Sequence, residues 1–192
     1  MSDSDIIRPA EKIVGKLVAL ERNIATFKAA QRLFAVIDTN REHLLPWMGF
    51  AAKDKTKTAE NTYNYLKNCE NGWKKGDWFP YTIFENSTGE CIGCCALEDV
   101  SFINKSAERG SWLAKHARGK GYAQELGALL EAECDRMGLQ RIYAKIDAEN
   151  TASIKNMEKC GYTLEATMLS ERWCPIRQQF RDMCVYAKVK GR

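Results

Sequence analysis

The sequence predicts a mixed α/β domain, with one sheet of seven strands and about four helices on its faces. Three observations carry this prediction. WFPYTIFE (78–85) and ECIGCCALEDV (90–100) flank Asn86-Ser87-Thr88-Gly89, which is a hairpin signature. From 107 onward, strand-like and helical patterns alternate, as crossover connections require. Between a strand-like RGSWLA (109–114) and an amphipathic AQELGALLEAECDRMG (123–138) lies the glycine-rich HARGKGYAQE (116–125). Hairpins in the middle and crossovers at the end imply a mixed sheet covered by helices.

The first element, KLVALER (16–22), alternates apolar and polar residues as a half-buried strand does. A helical pattern runs from Ala25 to about Leu45 on Phe27, Leu33, Phe34, Val36 and Ile37, and Pro46 stops it. After the basic loop AAKDKTKT (51–58), a second helix spans 59–75 and ends at Gly76. The hairpin strands follow, then the turn FINKS (102–106), the strand before the glycine stretch and the helix after it. RIYAKIDA (141–148), a short helix TASIKNMEKC (151–160), a strand from Tyr162 and a last strand FRDMCVYAKV (180–189) complete the order. That order is β-α-α-β-β-β-α-β-α-β-β.

Length and composition bound the function classes. At 192 residues the chain suits a single domain over 1–192, with a core of about 16–190. Its 45% hydrophobic and 28% charged residues are those of an ordinary globular protein. The formal charge of +4 is dispersed, without the dense basic stripe of nucleic-acid binding. No apolar run approaches the ~20 residues of a membrane span, and the first residues, MSDSDIIRPAEK, lack secretory-signal character. A cytoplasmic protein with no membrane or nucleic-acid partner is expected, as monomer or homodimer. The eight cysteines suggest a metal only at Cys91-x-x-Cys94-Cys95, but a second CxxC is missing and the histidines are just His43 and His116. Strand alternation would send Cys91 and Cys94 to opposite faces, so buried thiols and no metal are expected.

The glycine stretch fits an anion. Residues without a side chain let backbone turn sharply and approach a phosphate closely, and free N–H groups at a helix start point at it. The P-loop pattern fails because Tyr122 follows Gly121. The dinucleotide pattern G-x-G-x-x-G fails at Gln124. What remains is R-x-x-G-x-A, met by Arg118, Gly121 and Ala123, with a plain glycine turn as the alternative.

Several segments together resemble the GNAT superfamily of acetyl-CoA-dependent N-acetyltransferases. NKSAERGSWL (104–113) is similar to its fourth strand, RGKGYA to its pyrophosphate loop, ENTASIKNMEKCGY (149–162) to the approach to its sixth strand, and FRDMCVYAKV to its closing strand. NREHLLPWM (40–48) is similar to the RimJ/RimL branch. The resemblance implies a mostly antiparallel mixed sheet whose fourth and fifth strands splay apart. It also implies acetyl-CoA as cosubstrate and direct transfer to an amine, a protein N-terminus or a small molecule, with both substrates bound.

From it follow expected roles. The backbone of Arg118, Gly119, Lys120, Gly121, Tyr122 and Ala123 would hold the pyrophosphate, with the Arg118 and Lys120 side chains as helpers. Leu113 and Ala114 would pair with pantetheine amides, and Asn150 with the same arm. Many relatives carry a tyrosine proton donor where this chain has Met157, so Ser153 becomes the donor, its alternative role being a helix cap. Glu108 would take the amine's proton, with Glu98, Asp99 and Glu171 as competitors and a surface glutamate as the alternative. Ser111 stands where relatives often have an aromatic. Trp47, Phe50 and Trp73 would wall the acceptor side unless they are plain core, with Trp173 and Arg177 contributing from the loop before the last strand. The acceptor is expected to be a protein or peptide α-amine. A small amine such as a polyamine or antibiotic, or a non-catalytic acyl-CoA sensor, are the alternatives.

Overall fold

Period-two burial sets the sheet. The strand 141–147 hides Ile142, Ala144 and Ile146 and turns the residues between them outward. In the computed structural model, which describes residues 6–192, eight such strands form one sheet. They are β1 (Lys12–Val14), β2 (Val18–Arg22), β3 (Phe79–Glu85), β4 (Cys91–Ser101), β5 (Ser106–Leu113), β6 (Arg141–Asp147), β7 (Thr163–Cys174) and β8 (Gln179–Val189). Their order across the sheet is β1-β2-β3-β4-β5-β6-β8-β7. Every neighbouring pair is antiparallel except β5 and β6.

The seven strands expected from sequence are joined by β1, whose three residues pair with Ala19–Glu21. So short a run offers no alternation to register. Its hairpin is tied down from afar, because the Glu125 carboxylate accepts the backbone N–H groups of Lys16, Leu17 and Val18.

Helices α1 (Phe27–Thr39), α2 (Arg41–Leu44), α3 (Ala59–Lys75), α4 (Tyr122–Arg136) and α5 (Thr151–Lys159) cover the sheet. The single helix expected over 25–45 is divided at Asn40. That residue is buried, and its side chain donates to the Val36 carbonyl while accepting the Lys115 N–H at 2.7 Å. A polar side chain that bonds nearby backbone competes with helix continuation, and here it also anchors the turn after β5. Thr26 caps α1, Thr58 and Asn61 form a capping box on α3, and Gly76 closes α3 in the left-handed region.

Two apolar clusters result. The larger joins the sheet to Leu126 and Leu130 of α4 and Met157 of α5. The smaller packs Ala30, Leu33 and Ile37 of α1 and Leu66 of α3 on Cys91 and Cys94 of β4. Cys91 and Cys94 therefore share a face, contrary to simple alternation. Ile83 pairs with Gly93 and Phe84 with Cys91, so Ile92 is an extra, unpaired residue that shifts the phase. The bulge brings backbone so close that a Cβ on Gly93 would stand 2.1 Å from the Trp112 carbonyl oxygen. All eight cysteines are free thiols.

Candidate active site

Strands β5 and β6 are paired only over Ser106–Glu108 and Arg141–Tyr143. Past Glu108 they diverge, and β5 keeps pairing with β4 as far as Leu113. The gap opens a cleft with two lobes that share Trp47, Ser111, Trp112, Asn150, Ser153 and Asn156.

One lobe, about 550 Å³, ends at the glycine turn and is lined by Arg118, Gly119, Gly121, Tyr122 and Ala123. Gly119 and Gly121 have φ of +76° and +83°, the left-handed region that Cβ-bearing residues avoid. Gly121 is the residue before α4, so the free N–H groups of the first helical turn lie at the cradle. A Cβ on Gly119 would meet nothing within 4 Å, and one on Gly121 only Leu17 at 3.7 Å. These two residues therefore leave open space beside a helix start.

Other cradle residues brace it. The Tyr122 hydroxyl is buried and donates to Glu85, which also accepts from Thr88. The Tyr122 bond and then that of Thr88 hold the Glu85 carboxyl below the usual carboxylate range. The Lys120 ammonium lies 3.6 Å from the same carboxylate. The Lys120 side chain, expected as a helper, is drawn to Glu85 here and does not line the lobe. Ala114 is corrected too: it is fully buried, its N–H bonds Ile92 and its carbonyl accepts from Ala117. Leu113 does line the lobe, and its carbonyl accepts from Nε2 of His43 at 3.0 Å.

The other lobe, about 340 Å³, holds Glu98, Glu108, Lys145, Arg172 and Trp112. Glu98 and Glu108 stand opposite each other on β4 and β5, an arrangement that opposes ionisation of both. Burial raises the Glu98 carboxyl, with Glu108 and Asp99 adding to the effect. Burial also raises Glu108, against the pull of Lys145, whose ammonium is 3.4 Å away. A carboxylate whose pKa is raised is a stronger base than an ordinary one, which suits a group beside a cleft to taking a proton from an ammonium. Cys94 and Cys95 line this lobe, and burial pushes both thiols well above their ordinary range. They stay protonated and are poor nucleophiles.

At the junction stands α5. Its N-cap is Asn150, whose side-chain oxygen accepts the Ser153 N–H at 3.2 Å. The capping role falls to Asn150, and the Ser153 hydroxyl makes no hydrogen bond to any described residue while lining both lobes. Met157 is buried and lines the second lobe.

Sequence reasoning missed Asn156, His43 and Arg172. The Asn156 side-chain oxygen is buried, has no hydrogen-bond partner among the described residues, and belongs to a side chain lining both lobes. Its spacing three residues after Ser153 puts the two on one helix face, a signal that was readable.

Of the aromatic residues, Trp47 lines both lobes under the Arg177 guanidinium, 5.4 Å from its ring, and Phe50 lines the second. Trp73 does not belong to the site. It is 2% exposed, stacks edge-on with Phe79 and Tyr81, and donates its indole N–H to Pro80. Trp173 packs on Phe180 at the far end of the β7–β8 hairpin and lines neither lobe. Glu171 and Asp99 do not line the cleft either.

The sheet split thus leaves one cleft, with two left-handed glycines and a helix start at one end and two facing carboxyls at the other. The chain belongs to the Acetyltransferase (GNAT) domain family, whose model matches residues 22–163. It is 32% identical over 113 residues to the uncharacterized N-acetyltransferase p20 of Bacillus licheniformis, covering 58% of this chain and 55% of that protein. It is 28% identical over 90 residues to the spermidine N(1)-acetyltransferase of Vibrio cholerae serotype O1, covering 46% and 52%. The chain therefore spans about half the length of these curated relatives. A similar solved structure is RimL, a ribosomal L7/L12 alpha-N-protein acetyltransferase in complex with coenzyme A. It superposes with a TM-score of 0.82 at 22% identity, covering 92% of this chain and 96% of that one, which establishes the shared fold.

Proposed function

We propose that this chain is a single-domain, cytoplasmic N-acetyltransferase of RimJ/RimL type that moves an acetyl group from acetyl-CoA to the α-amine of a protein or peptide. One observation carries the reading: the gap between β5 and β6 joins the anion cradle to the carboxyl pair Glu98 and Glu108, with Ser153 at the junction. The cosubstrate supplies an activated thioester, and the protein supplies position and proton handling.

In this reading the α4 N-terminus and the Gly119–Gly121 turn hold the pyrophosphate. Leu113 offers its carbonyl's second lone pair to a pantetheine amide. Asn150, its oxygen spent on the cap, offers its side-chain NH₂, and the Asn156 oxygen gains the donor it lacks within the protein. The Ser153 hydroxyl donates to the departing sulfur. Glu108 accepts the proton of the amine, while Glu98 keeps an ammonium near. An α-amine, with a pKa of roughly 7.7–8, surrenders that proton readily. Lys145 and Arg172 in the same lobe leave it of mixed charge, which disfavours a polycation such as a polyamine. Thiol release from acetyl-CoA with free-amine peptides, N-blocked peptides and polyamines tests this. Turnover of the free-amine peptides alone supports the proposal, and turnover of polyamines alone defeats it.

A further inference from the structure

A third cavity, about 270 Å³, lies behind the acceptor-side lobe, between α1, α3 and the sheet. That is far beyond the roughly 10–15 Å³ that admits one water. Leu33, Ile37, Phe50, Cys94 and Trp112 make its wall mostly apolar, while Lys55, Thr56, Asn61 and Thr62 also line it. Thr62 is 2% exposed, and its hydroxyl is buried with no hydrogen-bond partner among the described residues. Buried polar groups in folded proteins are almost always satisfied. In an α-helix a threonine hydroxyl commonly bonds the carbonyl one turn back. This one does not, which leaves the hydroxyl without a partner among the described residues.

The cavity adjoins the acceptor-side lobe. Phe50, Tyr65, Cys94 and Trp112 line both, and the Phe50 and Trp112 rings, 5.8 Å apart, stand at the boundary. The cradle-side lobe shares only Trp112 with it. A group entering from the acceptor side therefore reaches this space more directly than one carried on the thioester.

We propose that this cavity receives the side chain of the acceptor residue whose α-amine is acetylated, selecting a large apolar side chain that ends in one hydrogen-bonding atom. The inference rests on the acceptor assigned above and deepens it. The mostly apolar wall gains from burying a large apolar side chain, and the Thr62 hydroxyl, both donor and acceptor, would meet a single polar tip such as a phenol. An acceptor that begins with glycine or serine leaves the space unfilled and gains nothing from it.

The test measures kcat/KM for peptides beginning with Tyr, Phe, Leu, Ser and Gly. It is run on wild type, Ile37→Phe, which fills the cavity, and Thr62→Val, which keeps the shape and removes the hydroxyl. Wild type is expected to favour Tyr, Phe and Leu over Ser and Gly by about tenfold or more, mainly through KM. Ile37→Phe is expected to erase most of that ratio while calorimetry shows unchanged acetyl-CoA affinity. Thr62→Val is expected to reduce the Tyr-over-Phe ratio alone, and as an isosteric change it keeps the proposal testable if Ile37→Phe does not fold. Equal wild-type rates for large and small first residues would overturn the proposal. So would a ratio that Ile37→Phe leaves intact. A shift in acetyl- against hexanoyl-CoA preference with the peptide ratio unchanged would assign the cavity to the acyl chain and overturn it too. If no peptide is acetylated but simple amines are, the acceptor assignment has failed. The same ratio, measured with isopentylamine against methylamine, then decides the cavity's role separately.

Discussion

Replacing Gly121 with valine strikes the cradle at its most constrained point. The residue sits at φ +83°, and a Cβ there would touch only Leu17 at 3.7 Å, an ordinary contact. The protein thus has room for the side chain, and the cost lies in the backbone angle. A left-handed conformation costs a Cβ-bearing residue about 1–2 kcal/mol, rising to ~3 kcal/mol for a strained, branched one. If the loop keeps its shape, that cost appears as a Tm lower by roughly 2–12 °C for a chain of this size. If the loop relaxes instead, the N–H groups of the first turn lose their aim. Losing one charge-assisted hydrogen bond, about 1.5–3 kcal/mol, weakens coenzyme A binding about 10- to 150-fold. Calorimetry with coenzyme A and with pantetheine, which lacks the diphosphate, separates the cases. Coenzyme A affinity should fall while pantetheine affinity holds. Unchanged coenzyme A affinity, or equal losses for both ligands, would refute the assignment of the turn to phosphate.

Ser153→Ala should lower kcat about 10- to 10³-fold with little change in acetyl-CoA affinity, as loss of a proton donor does, and an unchanged kcat in steady-state assays would return Ser153 to a plain helix residue. For Glu108→Gln the sign follows from burial, which raises the carboxyl: wild-type kcat/KM should fall as pH drops through that raised value, because a protonated carboxyl accepts nothing. The glutamine variant should lose most relative to wild type near neutrality and recover partly near about pH 9 as free amine accumulates, and a profile parallel to wild type would remove Glu108 as the base. Arg181 is 5% exposed in its side chain and clamps Asp147 with two hydrogen bonds of 2.9 and 2.7 Å. Burial works to raise Asp147, but those bonds outweigh it and hold the carboxyl below its usual range, so the pair stabilises the fold above the ordinary aspartate range and fails as acid protonates it. Arg181→Met should cost about 3–5 kcal/mol and move the onset of acid unfolding to higher pH, which a pH series of denaturant melts would show or deny.

The strands and helices with strong periodicity were legible because burial of one face writes itself into the residue order. β6 and α4 are examples, with Ile142, Ala144 and Ile146 on one, and Leu126 and Leu130 on the other. The bulge at Ile92 was not legible, since one inserted residue leaves local composition unchanged while reversing the faces of Cys91 and Cys94. The break at Asn40 depends on a bond to Lys115, 75 residues away, and no local pattern encodes it. The turn, Asn150, Ser153 and Glu108 were picked out because their spacing resembles a known arrangement, and the structure places them along one cleft. Trp73 could not be told from a site residue by type, because an aromatic ring serves a core and a pocket wall equally well. Thr62 announces itself only through a missing partner, a property that exists only in three dimensions, whereas the helical spacing of Asn156 from Ser153 was readable.

The central claim is that the gap between β5 and β6 holds thioester and amine together, so the acetyl group passes directly between them. Initial rates measured with acetyl-CoA and a peptide acceptor varied against each other test it, alongside mass spectrometry of enzyme incubated with acetyl-CoA alone. The account predicts intersecting double-reciprocal lines and an enzyme that carries no acetyl group, since Cys94 and Cys95 beside the cleft are held as thiols. Parallel lines with an acetylated cysteine would contradict it.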